Sequence, residues 1–265
     1  MSIHPTAVID PGAELASGVS VGPYAVIESG VRIGEGSRIG AHCVLSGSTI
    51  IGKNNKIGPF VHLGGAPQDL KYHGEDTRVV IGDNNDIREY VSIHRGTITG
   101  HGVTTVGNGN MLMAYCHVAH DCIVGDSVIM ANAATLGGHV EIGDRVTIGG
   151  LTGVHQFARI GAFAYIGGLS GISKDVPPYV ILSGVRNQMR VTGINKIGLK
   201  RNGFEADCIK KLEQAFKILF RSPGVILQDG LRKVNDELAD CEPVQQLVTF
   251  IESSKRGIVR IWEDE

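Results

Sequence analysis

Residues 21–45 read VGPYAVIESGVRIGEGSRIGAHCVL, and an aliphatic side chain stands at every sixth position of this stretch. The same spacing holds over residues 3–63, 81–93 and 106–172. An α-helix repeats about every 3.6 residues and a strand about every two, so neither accounts for this spacing. A six-residue period is typical of a parallel β-helix, in which each repeat supplies one short strand and one corner. The sequence therefore predicts a mainly β solenoid.

Glycine follows the aliphatic residue in 14 of the 26 repeats, for example at Gly22, Gly34 and Gly40. Because glycine readily adopts backbone angles that other residues avoid, we expect this position to form a tight corner. Three repeats would make one coil. Residues 18 positions apart would then stack at roughly the 4.8 Å spacing of neighbouring strands.

Two insertions interrupt the repeat. The first, over residues 64–80, keeps the six-residue phase, whereas the second, over residues 94–105, adds seven residues beyond one repeat. We predict a loop at each insertion. Loops that leave a rigid scaffold often carry binding residues.

The repeat stops at residues 174–178, which read KDVPP, and two prolines are expected to end the strand ladder there. A polar link follows. Apolar residues then recur at helical spacing over residues 209–251, and Pro223-Gly224 marks a helix boundary. The sequence thus predicts a β-helix domain over residues 1–190 and a C-terminal helical domain over residues 191–265.

The formal charge of -2 gives no general attraction to nucleic acid or to an anionic membrane. Five cysteines without a CxxC motif argue against a disulfide framework and a structural zinc site, and favour a reducing cytoplasm. The N-terminus shows no signal peptide, and no apolar run of about 18 residues predicts a membrane span.

Residues 182–221 form a basic stretch, which contains nine lysines and arginines and only three acidic residues. The stretch is either a solvated helix face or a docking surface for an acidic partner or phosphates. Its basic residues are Arg186, Arg190, Lys196, Lys200, Arg201, Lys210, Lys211, Lys217 and Arg221.

Stacking at 18 residues places five of the ten histidines on one edge of the solenoid: His94, His117, His120, His139 and His155. His120 shares its column with Gly138 and Gln156. Asp121, His139 and Phe157 share the next column. A histidine cluster of this size indicates a catalytic or binding site.

No reactive serine or cysteine stands in this cluster, because Cys43, Cys116 and Cys122 occupy a core position of the repeat. Direct transfer with a histidine general base is the economical chemistry. His120 could take the proton, and the backbone N–H of Gly138 could stabilise an oxyanion. Asp121 could orient or charge-stabilise the base. Strand alternation points adjacent side chains apart, so this pairing requires a corner.

Seven short motifs carry a resemblance to a known family: QDLKY at 68–72, SIHRGT at 92–97, HVAHD at 117–121, LGGH at 136–139, GVHQF at 153–157, DVPPYV at 175–180 and GLKR at 198–201. The chain resembles, over nearly its whole length, the UDP-N-acetylglucosamine acyltransferases that open lipid A biosynthesis in Gram-negative bacteria. The resemblance implies a left-handed parallel β-helix with a C-terminal α-helical domain. It also implies a homotrimer with sites between subunits.

In that family a 3-hydroxyacyl chain passes from acyl carrier protein to the 3-hydroxyl of the UDP-sugar. The resemblance implies no metal and no cofactor beyond the phosphopantetheine of the carrier protein. The basic stretch would be the docking surface for that carrier protein. The implied catalytic residues are His120, Asp121 and Gly138. The implied substrate-binding residues are Gln68, Asp69, Lys71, His94, His117, His139, His155, Gln156, Asn195 and Arg201. Gly168 matches the position that sets acyl-chain length.

Three alternatives remain open from the sequence. A γ-type carbonic anhydrase on the same scaffold would bind zinc between subunits, with His94, His117 and His120 as ligands. A non-catalytic β-helical scaffold would need none of these histidines. An acyltransferase that forms an amide on a 3-amino sugar nucleotide would use the same site.

Overall fold

The computed structural model describes residues 2–185, 188–222 and 226–259. The chain winds into a left-handed parallel β-helix with three strands in each coil, and a small helical region follows it. Val118 pairs with Leu136, and Leu136 pairs with Val154. The predicted stacking of residues 18 positions apart is therefore confirmed.

Three sheets form the sides of the solenoid, and we name them A, B and C in the order in which the chain visits them. Sheet A contains Ser2–Ile3, Ser20–Val21, Arg38–Ile39, Lys56–Ile57, Asp86–Ile87, Met111–Leu112, Ile129–Met130, Thr147–Ile148, Tyr165–Ile166, Val180–Ser183 and Arg190–Ile194. Sheet B contains Val8–Ile9, Val26–Ile27, Val44–Leu45, His62–Gly65, Ser92–His94, His117–Val118, Thr135–Leu136, Gly153–Val154 and Gly171–Ile172. Sheet C contains Glu14–Leu15, Arg32–Ile33, Ser48–Ile51, Arg78–Ile81, Val103–Val106, Ile123–Val124, Glu141–Ile142 and Arg159–Ile160.

The aliphatic residue of each repeat points into the solenoid, and the residue before it faces outward. From the second coil onward these aliphatic residues are almost fully buried. Cys43, Cys116 and Cys122 are also fully buried, as predicted for core residues. Burial raises the pKa of the Cys116 thiol to about 11 and that of Cys122 to about 12, so neither thiol is suited to act as a nucleophile.

The corners differ from the sequence prediction. The left-handed backbone lies at the third residue after the aliphatic one, as at Asp121 with φ of 59° and His139 with φ of 61°. The glycine directly after the aliphatic residue does not adopt a positive φ, except at Gly64. It is needed for space, because a Cβ at Gly34 would lie 2.5 Å from the backbone carbonyl of Gly52 in the next coil. The prediction that this glycine forms a tight corner was therefore wrong.

Both inserted loops leave the solenoid at the corner between sheet B and sheet C. The loops span residues 66–77 and 95–102, inside the predicted bounds of 64–80 and 94–105, because the flanking strands extend into the insertions. Both insertions therefore project from the same edge of the solenoid.

Sheet A continues beyond the two prolines that were predicted to end the ladder. Val180–Ser183 pairs in parallel with Tyr165–Ile166 and antiparallel with Arg190–Ile194. The prolines lie before the first of these strands, so their missing N–H groups cost no ladder bond. The predicted polar link is thus partly a hairpin, and the division into domains at residues 190 and 191 remains a prediction.

Four helices follow: α1 (Lys196–Arg201), α2 (Ala206–Phe220), α3 (Leu227–Leu238) and α4 (Glu242–Glu252). The helical spacing predicted α2, α3 and α4, whereas the short helix α1 was not predicted. Arg186 and the Pro223-Gly224 boundary lie outside the described residues. No helix in the described ranges is both long enough and apolar enough to cross a bilayer.

Candidate functional site

A cleft of about 1410 Å³ lies along the edge between sheet B and sheet C. Both inserted loops emerge at this edge. Its lining includes His120 and His139, which follow neighbouring strands of sheet B, and Gln68, Asp69 and Lys71 from the first loop. The structure thus brings these five residues together, as the stacking pattern and the resemblance predicted.

His120 and Asp121 form a hydrogen-bonded pair. Nδ1 of His120 lies 2.9 Å from Oδ2 of Asp121. Adjacent residues of a strand would point to opposite faces, but Asp121 occupies a left-handed corner with φ of 59°. The corner therefore permits a contact that a strand would forbid. With Nδ1 directed at the carboxylate, Nε2 of His120 is left for a substrate.

The Asp121 carboxylate is fully buried and strongly hydrogen bonded. It accepts hydrogen bonds from the backbone N–H groups of Thr97, His101 and Gly102, and from the hydroxyl of Thr97. Burial by itself opposes ionisation, yet the hydrogen bonds from Thr97 and His120 hold the pKa of Asp121 below its ordinary value. Asp121 is therefore a charged partner for the imidazole.

Gly138 lies directly against the ring of His120. A Cβ at Gly138 would lie 2.6 Å from both Cε1 and Nε2 of His120, so only glycine fits beneath the ring. Within the described ranges, the backbone N–H of Gly138 donates to no other group. A polar hydrogen beside a histidine Nε2 is the arrangement that an oxyanion site requires.

His139 lies between the His120–Asp121 pair and an aromatic ring. Its ring contacts that of His120 edge-on, with centroids 5.1 Å apart, and stacks on Phe157 at 4.3 Å. Burial lowers the pKa of His139, although the Asp121 carboxylate opposes this shift. His139 is thereby held in one orientation beside His120.

His94 and His117 form a second pair beneath the cleft, with ring centroids 4.8 Å apart. Burial and the neighbouring imidazole of His117 lower the pKa of His94 to about 4. Burial also lowers the pKa of His117, whose Nδ1 lies 2.8 Å from the hydroxyl of Ser92. Both imidazoles are therefore neutral near pH 7.

Residues 175–259 match the family model described as UDP N-acetylglucosamine O-acyltransferase, domain 2, and residues 103–138 match that for bacterial transferase hexapeptide repeats. The acyl-[acyl-carrier-protein]--UDP-N-acetylglucosamine O-acyltransferase of Thiobacillus denitrificans is 50% identical over 98% of this chain and 99% of its own length. The chain belongs to the UDP-N-acetylglucosamine O-acyltransferase family.

Solved structures of the family agree with this assignment. LpxA from Acinetobacter baumannii matches with a TM-score of 0.93 at 46% identity, covering 97% of this chain and 99% of its own. The UDP-N-acetylglucosamine acyltransferase from Campylobacter jejuni matches with a TM-score of 0.92 at 37% identity, covering 99% of this chain and 100% of its own. The β-helix and the helical region are therefore both features of the family fold.

Among the residues implied by the resemblance, Gly168, Asn195 and Arg201 are three that do not line the cleft of this acyltransferase. Gly168 follows a strand of sheet A, so it lies at the corner between sheets A and B and away from His120. Asn195 precedes α1, where its side chain accepts from the N–H of Gly198 and donates to the carbonyl of Phe163. Arg201 is exposed at the end of α1.

His155 and Gln156 stand at the far end of the cleft. Gln156 lines the cleft, and Nδ1 of His155 lies 2.8 Å from the Arg256 guanidinium. His155 does not itself line the cleft, although Arg256 does. The five histidines that were predicted to converge thus form three groups: His120 with His139, the buried His94–His117 pair, and His155.

Sequence reasoning missed several residues that line the cleft. Glu141 and Arg159 stand opposite each other on sheet C, and the stacking rule could have found them. Nε of Arg159 lies 3.2 Å from Asp175, and its guanidinium lies over the ring of Phe250 in α4. Arg256 comes from the end of the chain, and the repeat contains no signal for its position.

Three side chains of the site carry atoms that can bind a metal ion. In the part of the chain that the structure describes, the close group of ligand atoms is His120, Asp121 and His139, all within 4.8 Å of one another. This set does not contain His94 or His117, which the carbonic anhydrase alternative requires. The oxygens of Asp121 already accept from the inserted loop and from His120, so they are poorly disposed to bind a cation.

Proposed function

We propose that this acyltransferase moves a 3-hydroxyacyl chain from the phosphopantetheine of an acyl carrier protein to the 3-hydroxyl of UDP-N-acetylglucosamine. The printed names of the relatives include both the carrier protein and the sugar nucleotide. The single observation that carries the proposal is the placement of the His120 ring between the buried Asp121 carboxylate and the backbone of Gly138. A base and an oxyanion donor are the two groups that direct acyl transfer needs.

The chemistry follows from these positions. Nε2 of His120 removes the proton of the sugar hydroxyl as its oxygen attacks the thioester carbonyl. The carbonyl oxygen becomes an oxyanion, which the N–H of Gly138 stabilises by about 3 kcal/mol. When the tetrahedral intermediate collapses, the C–S bond breaks and the imidazolium of His120 returns its proton to the departing thiolate. Asp121 stabilises the imidazolium between these two steps.

Substrate contacts are proposed on both sides of the base. Gln68, Asp69 and Lys71 line the cleft from the first loop, and Gln156 lines its far end. Lys71 supplies a cation that suits the phosphates of a nucleotide. His139, His94, His117 and His155 are proposed to contact the sugar and nucleotide directly or through their neighbours.

A homotrimer with sites between subunits is part of the proposal. Gly168, Asn195 and Arg201 do not line the cleft in a single chain, so a neighbouring subunit would have to supply them. The corner between sheets A and B also carries a mostly exposed ridge of aromatic and aliphatic side chains, which we name the corner ridge: Tyr24, His42, Phe60, Tyr90, Tyr115, the half-buried Ala133, Leu151 and Leu169. The rings from Tyr24 to Tyr115 stack with centroids 4.8 to 5.1 Å apart. A continuous apolar surface of this kind favours contact with another protein surface.

Acyl carrier protein is proposed to dock on the exposed cations of the basic stretch. Lys200 and Arg201 are exposed in the last turn of α1, whereas Lys196 and Lys211 are engaged by acidic side chains of the same region.

A cytoplasmic location is proposed as well, because the five cysteines are free thiols, which suits a reducing compartment. Fractionation of the source cells tests the location.

The substitution His120→Ala tests the function. We expect acyl transfer to UDP-N-acetylglucosamine to fall by at least about 100-fold, because no other group takes up the hydroxyl proton, while the melting temperature is unchanged. The assay uses purified protein and a series of 3-hydroxyacyl carrier proteins against the hydroxyl and 3-amino sugar nucleotides. Near-normal turnover in the variant contradicts the general-base role, and preferential transfer to the amine favours the amide-forming alternative.

A further inference from the structure

The second inserted loop, residues 95–102, is folded against a single carboxylate. Three of its backbone N–H groups and the hydroxyl of Thr97 donate to the oxygens of Asp121 at distances of 2.7 to 3.1 Å. The loop begins and ends in the coil below Asp121, and its donors reach the corner of the next coil. A loop that only filled space would not direct four donors at one side chain.

The corner itself does not explain the burial of Asp121. His139 and Phe157 occupy the same corner position in the two following coils, with φ of 61° and 64°. His139 is half-buried, and Phe157 is 53% exposed, whereas Asp121 is fully buried. Since the three corners share one backbone conformation, the inserted loop is what removes Asp121 from solvent.

The loop is held close to the carboxylate by its glycines. A Cβ at Gly96 would collide with the backbone of Val103, where the two ends of the loop meet. A Cβ at Gly100 would collide with the carboxylate of Asp121. The loop backbone therefore lies in direct contact with the carboxylate.

We propose that Thr97 is a positioning residue for the reaction and that the loop over residues 95–102 aims the Asp121 carboxylate at His120. One oxygen, Oδ2 of Asp121, accepts both from the Thr97 hydroxyl at 2.7 Å and from Nδ1 of His120 at 2.9 Å. The hydroxyl thus fixes the rotation of the carboxylate, and the carboxylate fixes the tautomer that leaves Nε2 of His120 free to accept a proton. This inference rests on the proposed function.

The variant Thr97→Val removes the hydroxyl and keeps the shape of the side chain. We expect kcat to fall about 10-fold, because a hydrogen bond to a charged group is lost, and KM for UDP-N-acetylglucosamine to change less than about twofold. The acid limb of the pH profile should move to higher pH. Activity needs an ionised Asp121, and loss of the Thr97 donor raises the pKa of that carboxyl. The other titratable groups beside the pair are unchanged in the variant: His139, His101, His117, His94 and Cys122.

Two further variants isolate the hydroxyl. Thr97→Ser keeps it and should restore kcat to within about twofold of wild type. Thr77→Val is the matched control, since the Thr77 side chain is also buried, and its hydroxyl has no hydrogen-bond partner among the described residues. Wild-type kcat and an unshifted acid limb in Thr97→Val overturn the inference, as does an equal loss in Thr97→Ser.

The experiment separates this inference from the proposed function. A wild-type protein that does not transfer acyl groups contradicts the function itself, whereas an active wild type with an inactive His120→Ala and a normal Thr97→Val contradicts only the positioning role. If Thr97→Val does not fold, Gly100→Ala decides, because its Cβ displaces the carboxylate without removing a donor. Unchanged kcat in Gly100→Ala overturns the inference.

Discussion

His94 shows how burial sets the charge of one residue. Its side chain is 8% exposed, its Nδ1 has no hydrogen-bond partner among the described residues, and it contacts His117. The folded protein therefore protonates His94 only near pH 4, whereas the unfolded chain does so near its ordinary pKa of 6.5. Stability contributed by neutral His94 is present at pH 7 and is lost as pH falls toward 4.

The first prediction concerns this pH dependence. Lowering pH from 7 to 5 should cost wild type about 2 kcal/mol of unfolding free energy through His94, because the unfolded state binds the extra proton. His94→Asn should lose less stability over the same interval by about that amount. Urea unfolding at pH 7 and pH 5 measures both. The neighbouring His62, His117, His120 and Arg95 are retained in both proteins, so equal losses contradict the assignment to His94.

At the scale of one coil, glycine is required by the distance between coils. The six-residue repeat places it where the backbone of the next coil passes, and its backbone angle there is ordinary. The left-handed corner, in contrast, is occupied by residues as large as Phe157 and Tyr115. Such a conformation is uncommon outside glycine, and the strand pairs on both sides of each corner hold it in place.

The second prediction follows from this spacing. Gly34→Ala should destabilise the protein by about 1 to 3 kcal/mol, because the added Cβ overlaps the carbonyl of Gly52 and the coils must separate locally. Gly153→Ala is the matched control, since a Cβ there meets nothing within 4 Å and φ is not positive. Denaturant midpoints compare the two. A Gly34→Ala protein as stable as the control argues against the steric role.

The end of the solenoid is held by elements that the repeat does not describe. The hairpin of Val180–Ser183 and Arg190–Ile194 closes sheet A and leads into α1. Arg159 joins Asp175 to the ring of Phe250, so the last coil is connected to α4. The far wall of the cleft is therefore formed by the helical region. The shape of the cleft thus depends on how the helical region packs against the solenoid.

At the scale of the whole molecule, the corner ridge and the cleft lie on different edges of the solenoid. A single chain thus has the His120–Asp121 pair on the edge between sheets B and C and its apolar surface on the edge between sheets A and B. In the proposed trimer the ridge edge of one subunit faces the cleft edge of the next. That arrangement would bring Gly168 toward the acyl chain held beside His120 of a neighbour.

The third prediction tests this assembly. Tyr115→Glu places a charge in the middle of the corner ridge, where Tyr115 is 60% exposed, and should dissociate the proposed trimer and lower activity with it, because an unpaired charge is costly to bury. Ile123→Glu, on the outer face of sheet C with 40% exposure, is the control and should remain trimeric. Light scattering coupled to size-exclusion chromatography measures the masses. A trimeric Tyr115→Glu protein, or a monomeric wild type, contradicts the proposal.

The fold and the centre of the site could be read from the sequence because both depend on one period. A side chain at every sixth position can be buried in a continuous core only if the chain coils three repeats at a time. That rule placed Gly138 beside His120 without any tertiary information. The apolar residues at helical spacing over residues 209–251 are likewise the ones that a packed helix buries, and this spacing predicted α2, α3 and α4.

Other features depended on contacts between segments far apart in the chain. The donors to Asp121 come from a loop without a repeat, the hairpin of sheet A follows two prolines, and Arg256 reaches the cleft from the last turn of the described chain. Their positions are set by packing and hydrogen bonding in three dimensions, which no spacing encodes. The sequence by itself thus determined the solenoid and the column of His120 and Gly138. Tertiary structure decided how Asp121 is held and what closes the cleft.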